Sequence, residues 1–293
     1  MTLPSVGLIG IGHIGTHLVK QLRQAQYEVT AFDLLPAAVQ RAVDLGATPA
    51  DSVAAVARAA MIVLTSLPEA PDVEQVVLGE GGVLGNLASG GLLVDTSTSR
   101  PALARHIAAA AAARGLAALD APVSWGEGGL NMMVGGDEAA FVRAERVLWA
   151  VAGKVTYVGP AGCGQVAKLM NQVIMAATWG IVAEAFCLAK KAGAPPDRVL
   201  EAINTAGASS RLLNGAVATM RRGDYTGSGT LRLHRKDLDY ALDLAREVKA
   251  FVPLTGLVRD AFQAAELKGE PNWSQPGIAV VWEDLSGCSL ADD

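Results

Sequence analysis

The segment SVGLIGIGHIG at 5–15 constrains the fold of this chain more than any other. A short apolar run, Val6–Gly10, has the composition of a buried strand, and Gly10, Gly12 and Gly15 form G-x-G-x-x-G where a helical pattern, Thr16–Gln26, opens. A strand that turns tightly into a helix needs the first glycine for the turn and the third for close helix–strand packing. The second lets the main chain approach a pyrophosphate, which the helix N-terminus also attracts. Alone, the motif is compatible with a glycine-rich turn that binds nothing. Its context argues for a ligand: Asp33 closes the next strand pattern 18 residues after Gly15, where an acid accepts hydrogen bonds from the adenosine ribose hydroxyls of a dinucleotide. The residues expected at the cofactor are therefore Gly10, Ile11, Gly12, His13, Ile14, Gly15 and Asp33. A 2′-phosphate would be repelled by Asp33, and Leu34, Leu35 and Pro36 supply no arginine to hold one, so NAD is expected over NADP.

The same alternation continues. Strand patterns at Glu28–Asp33, Met61–Ser66, Leu92–Thr96, Leu116–Ala121, Met132–Gly135 and Lys154–Val158 are interleaved with helical ones at Ala37–Leu45, Pro101–Arg114 and Glu138–Ala150. This predicts a mostly parallel sheet covered on both faces. Beyond about Gly162 strand patterns disappear. A long apolar helix runs to about Lys191, stopped by Gly193 and the Pro195–Pro196 pair, and helices are expected at Asp197–Asn204, Ser210–Arg222, Lys236–Val248 and Leu254–Leu267. The fold class is thus an α/β Rossmann-type dinucleotide-binding domain, 1–162, followed by an all-α domain, 163–293.

The stretch Leu169–Ala189 is apolar enough to raise the question of a membrane span. Asn171, Gln172 and Glu184 interrupt it, and its uninterrupted core falls short of the ~20 residues a bilayer needs, so a buried helix is expected. A helix apolar on nearly all sides must be covered all round, which points to a homodimer or homotetramer. The N-terminus has no basic segment and runs straight into a strand pattern, unlike a signal peptide. Cys163, Cys187 and Cys288 are odd in number and widely spaced, as reduced thiols of a cytoplasmic protein are. A net charge of −5 gives no general attraction to nucleic acid or anionic membranes. One cluster, Arg232, His234, Arg235 and Lys236, runs against that balance, either as a solvated helix start or as a contact to an anionic cofactor.

Chemistry is expected where the long helix opens. Lys168, Asn171 and Gln172 are three and four residues apart and share one helix face. A lysine there can exchange a proton with a reacting oxygen while the amides hold that oxygen or its neighbours. The plain alternative is a lysine that snorkels at a helix start. His13 and His17 also stand four apart, but no third ligand lies nearby and His13 falls where pyrophosphate would sit, so no metal site is expected.

Several motifs in order resemble one family, the β-hydroxyacid dehydrogenases: GLIGIGHIG at 7–15, SLP at 66–68, VDTSTSRP at 94–101, DAPVSWG at 120–126, MVGGD at 133–137, GCGQVAKLMNQ at 162–172 and LHRKDLDYAL at 233–242. The Asn171–Gln172 pair is closer to the tartronate semialdehyde reductase branch than to the 3-hydroxyisobutyrate dehydrogenase branch. The resemblance implies reversible NAD(P)-dependent oxidation of a 3-hydroxy acid to its semialdehyde or keto acid, without a metal. It makes Lys168 the acid/base, with Asn171 and Gln172 lining the substrate site. Ser124 and the main chain around Gly126 would hold the substrate carboxylate. Leu67, Pro68 and Thr98 would border the nicotinamide, and Lys236 would close over it.

The chain also departs from the family. The usual Ser-Gly-Gly is Ser124-Trp125-Gly126, the loop to MVGGD is shorter, Gly229 stands where phenylalanine is frequent, and extra sequence with Trp273 and Pro276 lies between Gly269 and Trp282. Trp125 has two readings: its flat apolar ring stacks on a substituent of the acid, or it points outward and shields the shortened loop. An imine reductase of the same architecture is the alternative enzyme, and it usually lacks the lysine at 168. Decarboxylating 6-phosphogluconate dehydrogenase has a longer chain and a histidine where this one has Asn171. A non-catalytic dinucleotide sensor would not need Lys168, Ser124 and Lys236 together.

Overall fold

The apolar runs of the first half assemble into one parallel-dominated sheet. The computed structural model describes residues 3–227 and 229–292, so Met1, Thr2, Ser228 and Asp293 lie outside the described residues. In chain order the first half contains β1 (Val6–Ile9), α1 (His13–Gln24), β2 (Val29–Phe32), α2 (Pro36–Asp44), β3 (Thr48–Pro49), α3 (Val53–Ala59), β4 (Ile62–Thr65), α4 (Ala70–Leu78) and α5 (Val83–Asn86). It continues with β5 (Leu92–Asp95), α6 (Pro101–Ala112), β6 (Ala117–Asp120), β7 (Val123–Gly126), β8 (Gly129–Gly136), α7 (Glu138–Val151) and β9 (Lys154–Gly159). The order across the sheet is β3-β2-β1-β4-β5-β6-β8-β7, with β9 parallel to β8 on its other edge. From β3 to β6 every pairing is parallel. Side chains alternate between faces along each strand, so two cores form. Leu8, Leu64, Leu92 and Val94 pack under α1, α2 and α7. Ile9, Val63 and Leu93 pack under α3, α4, α5 and α6.

Two strands were not foreseen. The short edge strand β3 contains a proline, and β7 falls in the segment whose sequence suggests a loop. β7 and β8 form a hairpin closed by Glu127 and Gly128, pairing Ser124 with Asn131 and Trp125 with Leu130. A two-residue hairpin turn is the tightest ordinary connection, which is how this chain shortens the segment before MVGGD. Gly136, at φ +145°, ends β8, and the Asp137 carboxylate then caps α7 by accepting from the Ala140 N–H.

The second half holds α8 (Cys163–Lys191), α9 (Pro196–Asn204), α10 (Arg211–Arg222), α11 (Leu231–Val248), α12 (Pro253–Lys268) and α13 (Ala279–Ser286), with a 3₁₀ turn at Gln275–Ile278. α11 starts five residues before the expected Lys236, because Thr230 caps it by accepting from the Leu233 N–H. The chain divides into two compact units, Met1–Lys168 and Leu169–Asp293, so the division falls inside α8. The expected boundary at 162/163 is where that helix begins.

By length and composition alone α8 is apolar enough to cross a membrane, so its polar interruptions do not settle the matter. Its packing is that of a core helix. Ala176, Trp179, Val182, Ala183, Phe186 and Cys187 form one wall of the second unit's core, with Met220, Leu238, Phe262 and Ile278 opposite. Fully burying one such large side chain contributes roughly 1.5–3 kcal/mol. The opposite stripe of α8 (Ile174, Ile181 and Leu188) stays exposed in the single chain. The 270–282 segment belongs to this unit. Trp273 packs edge-on against Tyr225 at 5.3 Å, and Gln275 lies against Gly229, whose φ of +78° is strained for any residue with a Cβ.

Candidate active site

The glycine turn has the geometry its spacing implies. Gly10 sits at φ +91°, and a Cβ on it would lie 2.3 Å from the Ser66 carbonyl oxygen. A Cβ on Gly15 would lie 2.0 Å from the Gly10 carbonyl oxygen, so α1 is pressed onto the end of β1. Nothing lies within 4 Å of the same point on Gly12, which is exposed together with His13. That open main chain at a helix N-terminus fits a phosphate-bearing cofactor. The Asp33 carboxylate accepts the Ile11 N–H at 2.6 Å and the Leu35 N–H at 2.8 Å. Arg41, on α2, donates from Nη2 to the Ile11 carbonyl at 2.9 Å. Arg41 lies beyond Leu34, Leu35 and Pro36, which directly follow Asp33, and the second turn of α2 brings it back to the glycine turn, a return no local pattern reveals.

Within the β7–β8 hairpin, alternation places Ser124 and Trp125 on opposite faces. The Trp125 ring stands edge-on to His17 at 5.0 Å and to His13 at 6.1 Å, and about half of the residue is exposed. The indole thus faces the first turns of α1 rather than the Ser124 side. Burial pushes the His17 pKa down, with Lys20 and His13 acting in the same direction, against a hydrogen bond to the Val151 main chain.

Segments 66–68 and 94–101 are tied together by hydroxyls. Thr65 donates to the Asp95 carboxylate at 2.8 Å, Thr96 donates to the Thr65 carbonyl at 2.7 Å, and the Leu67 N–H donates to the Ser97 Oγ at 2.9 Å. The start of α8 seats on the same region. Asp120, at the end of β6, accepts the Gly162 N–H through Oδ1 and the Gln165 N–H through Oδ2, each at 2.8 Å. Glycines make this close approach possible: a Cβ on Gly135 would lie 2.7 Å from Asp120 Oδ1, and one on Gly164 would lie 2.4 Å from the Met133 carbonyl. Burial pushes the Asp120 pKa up to about 6. Hydrogen bonds from the main chain of Gly162, Gln165 and Asp120 itself oppose the rise, and the nearby Asp95 adds to it. The Gln165 side chain, fully buried, accepts the Ser99 N–H at 2.9 Å and donates to the Ser97 carbonyl at 2.8 Å. One turn further along α8 is Lys168, with only 7% of its surface exposed. Asp120 lies in DAPVSWG and Gln165 in GCGQVAKLMNQ, but nothing in a single sequence says that they meet.

In the second unit, the Asn171 amide donates to Gln172 Oε1 at 3.1 Å. Gln172 Nε2 donates to Asp237 Oδ2 at 2.7 Å, and Asp237 Oδ1 pairs with Lys236 Nζ at 3.3 Å. His234 is buried and stacked on Phe262 at 4.9 Å, with Nε2 3.0 Å from the Gln172 main-chain oxygen. A carbonyl only accepts, so Nε2 carries the proton and Nδ1 faces the Gln172 amide at 3.4 Å as acceptor. The basic cluster therefore divides. His234 is structural, Arg235 pairs with Glu266 and Asp239, Arg232 is exposed, and Lys236 is oriented by Asp237.

These features match known proteins over nearly the whole chain. Residues 5–159 match the model of the NAD binding domain of 6-phosphogluconate dehydrogenase. Residues 162–280 match that of the NAD-binding region of NADP-dependent 3-hydroxyisobutyrate dehydrogenase. The 3-hydroxyisobutyrate dehydrogenase of Pseudomonas aeruginosa is 36% identical, over 89% of this chain and 91% of its own. The 2-hydroxy-3-oxopropionate reductase of Escherichia coli is 32% identical, over 98% of this chain and 99% of its own. Among solved structures, the Mycobacterium tuberculosis 3-hydroxyisobutyrate dehydrogenase with L-serine aligns with a TM-score of 0.89 at 28% identity, over 96% of this chain and 99% of that one. The chain belongs to the β-hydroxyacid dehydrogenase family and is an NAD(P)-dependent oxidoreductase acting on the CH–OH group of a hydroxy acid.

Proposed function

We propose that the chain oxidises a 3-hydroxy acid reversibly to its semialdehyde or keto acid, with NAD preferred and Lys168 as the acid/base. The observation that carries this reading is the burial of Lys168 one turn beyond a helix start that is seated on the dinucleotide sheet. Burying an amine without a use for it is unfavourable. When bound, the nicotinamide supplies or accepts the hydride. Lys168 takes the hydroxyl proton in oxidation and returns it to the forming alkoxide in reduction. Ser124 and the Gly126 main chain hold the substrate carboxylate, and Trp125 seats their strand against α1. Asn171 and Gln172 line the substrate site, with Gln172 fixed by Asp237. Gly10, Ile11, Gly12, His13, Ile14, Gly15 and Asp33 hold the cofactor's adenosine and pyrophosphate, and Leu67, Pro68, Thr98 and Lys236 its nicotinamide end. The hydroxyacid reading takes precedence over an imine reductase because Lys168 is present and the relatives named above are hydroxyacid enzymes.

The test is turnover of a panel of 3-hydroxy acids with NAD and with NADP, followed by nicotinamide absorbance. NAD is expected to give the higher kcat/KM, because each Asp33 oxygen keeps a lone pair for a ribose hydroxyl and repels a 2′-phosphate. In Asp33→Ala the repulsion is gone while the Arg41 guanidinium remains, so the gap between the cofactors should narrow by roughly tenfold, the scale of one unscreened surface charge. An unchanged ratio would show that Asp33 does not discriminate.

The exposed stripe Ile174, Ile181 and Leu188 supports a homodimer or homotetramer, since such a face on a family core helix is unfavourable in water. Light scattering at micromolar concentration should give at least twice the chain mass; a monomer would refute the assembly. The three cysteines, none in a disulfide, suit the cytoplasm.

A further inference from the structure

We propose that Gln165 is a positioning residue that locks the helix bearing Lys168 to the two segments at the nicotinamide end of the cofactor site, and so sets the distance between the proton-transferring and hydride-transferring groups. The inference rests on the reading of Lys168 as the acid/base. Every element of it lies within the first compact unit.

A fully buried amide placed without purpose would leave polar atoms unsatisfied, yet both ends of this one are used. Oε1 accepts from the Ser99 N–H and Nε2 donates to the Ser97 carbonyl, which bracket Thr98. Ser97 in turn receives the Leu67 N–H on its hydroxyl, so the 66–68 segment is held through the same residue. The Gln165 main-chain N–H goes to Asp120. One side chain therefore joins segment 97–99 directly, segment 66–68 through Ser97, and α8 one turn before Lys168, while the glycine-lined Asp120 cradle keeps the helix start from shifting.

Proton and hydride transfer to one carbinol group require both partners within near-attack distance, and a displacement of about 1 Å can reduce rate by ~10²-fold. Neither Asp120 nor Ser97 can substitute for the bridge. Among the described residues, the Asp120 carboxylate bonds to the helix start, and Ser97 reaches the helix through Gln165 itself. Methionine at 165 fills similar space and makes neither hydrogen bond.

In Gln165→Met, three results are expected. Amide hydrogen exchange at Ser99 should quicken in the cofactor-free protein, since its acceptor is gone. The Kd for NAD, read by titration of intrinsic fluorescence, should rise about 2- to 10-fold, the range of one or two lost hydrogen bonds. With saturating NAD and the panel acid that the wild type turns over fastest, kcat should fall ~10- to 100-fold. The decisive arm is the double variant. Gln165→Met should cost little further kcat in a Lys168→Ala background, because its effect passes through the lysine. A kcat within twofold of wild type, or the full loss repeated without Lys168, overturns the inference. Gln165→Glu keeps the acceptor for Ser99 and loses the donor to Ser97, so it should fall between wild type and methionine. It also serves as the test variant if the methionine form fails to fold. A wild type that turns over no panel acid would sink the reading of Lys168. Unchanged Ser99 exchange and unchanged NAD affinity in Gln165→Met would sink the bridge itself.

Discussion

Lys168→Ala is expected to lower kcat by ~10²–10⁴-fold, the usual contribution of a positioned acid or base, while the Kd for NAD stays near its wild-type value. The reason for the split is spatial. The proposed cofactor turn, residues 10–15 with Asp33, is held by hydrogen bonds among Ile11, Gly12, Asp33, Thr16 and Leu35. The oxygen of the reacting CH–OH group gains or loses a proton as hydride moves, so loss of Lys168 falls on the chemical step. Lys168→Arg should do little better than alanine. A guanidinium keeps the charge, but it does not give up its proton near neutral pH and so cannot act as a base. Steady-state kinetics with fluorescence titration of NAD separate the two effects. Near-normal turnover in the alanine variant would leave Lys168 as a snorkelling side chain and return the imine reductase reading to contention.

The second large effect separates two glycines of one motif. Gly15→Ala should lower both stability and cofactor affinity, whereas Gly12→Ala should lower cofactor affinity alone. At Gly15 the new Cβ would meet a main-chain carbonyl at 2.0 Å, and no rotamer change can relieve a clash between backbones. α1 must lift off β1, at a cost of about 1–3 kcal/mol by analogy with overpacked cores. That corresponds to a drop in Tm of roughly 2–12 °C in a chain of this size. At Gly12 the backbone is extended, with φ −72°, and nothing lies within 4 Å of the new methyl group. Its Tm should stay within about 1 °C of wild type, because a surface substitution there breaks nothing. The methyl would instead occupy the space through which the pyrophosphate approaches, and NAD affinity should fall about tenfold or more. Thermal unfolding without cofactor, together with NAD titration, reads both variants. Equal loss of NAD affinity and of Tm at Gly12 would mean that the turn is packed by protein rather than left open for a ligand.

The strand–helix alternation, the glycine turn, Asp33 and the order of the motifs were legible because each is a local pattern. A short unbroken apolar run marks a strand buried on both faces, a glycine triplet marks a turn that no side chain can occupy, and capping residues such as Asp137 and Ser210 mark where helices start. Lys168 stood out for the same reason, as a charge on an apolar helix. The hairpin strand β7 was less legible, because Val123–Gly126 is too short to show alternation and its partner lies across a two-residue turn.

The sequence by itself determined what was local: the fold class, the glycine turn between β1 and α1, the candidate lysine and the family. The tertiary structure alone decided which distant residues meet. Arg41 reaches Ile11 across 30 positions, Gln165 reaches Ser97 across 68, and Gln172 reaches Asp237 across 65. The physical reason is that a buried polar group must find a partner wherever the fold supplies one, and sequence separation has no bearing on which it finds. Trp125 shows the same division. Its presence is plain in the sequence, but only the pleat of the hairpin turns its indole toward His13 and His17 and away from Ser124.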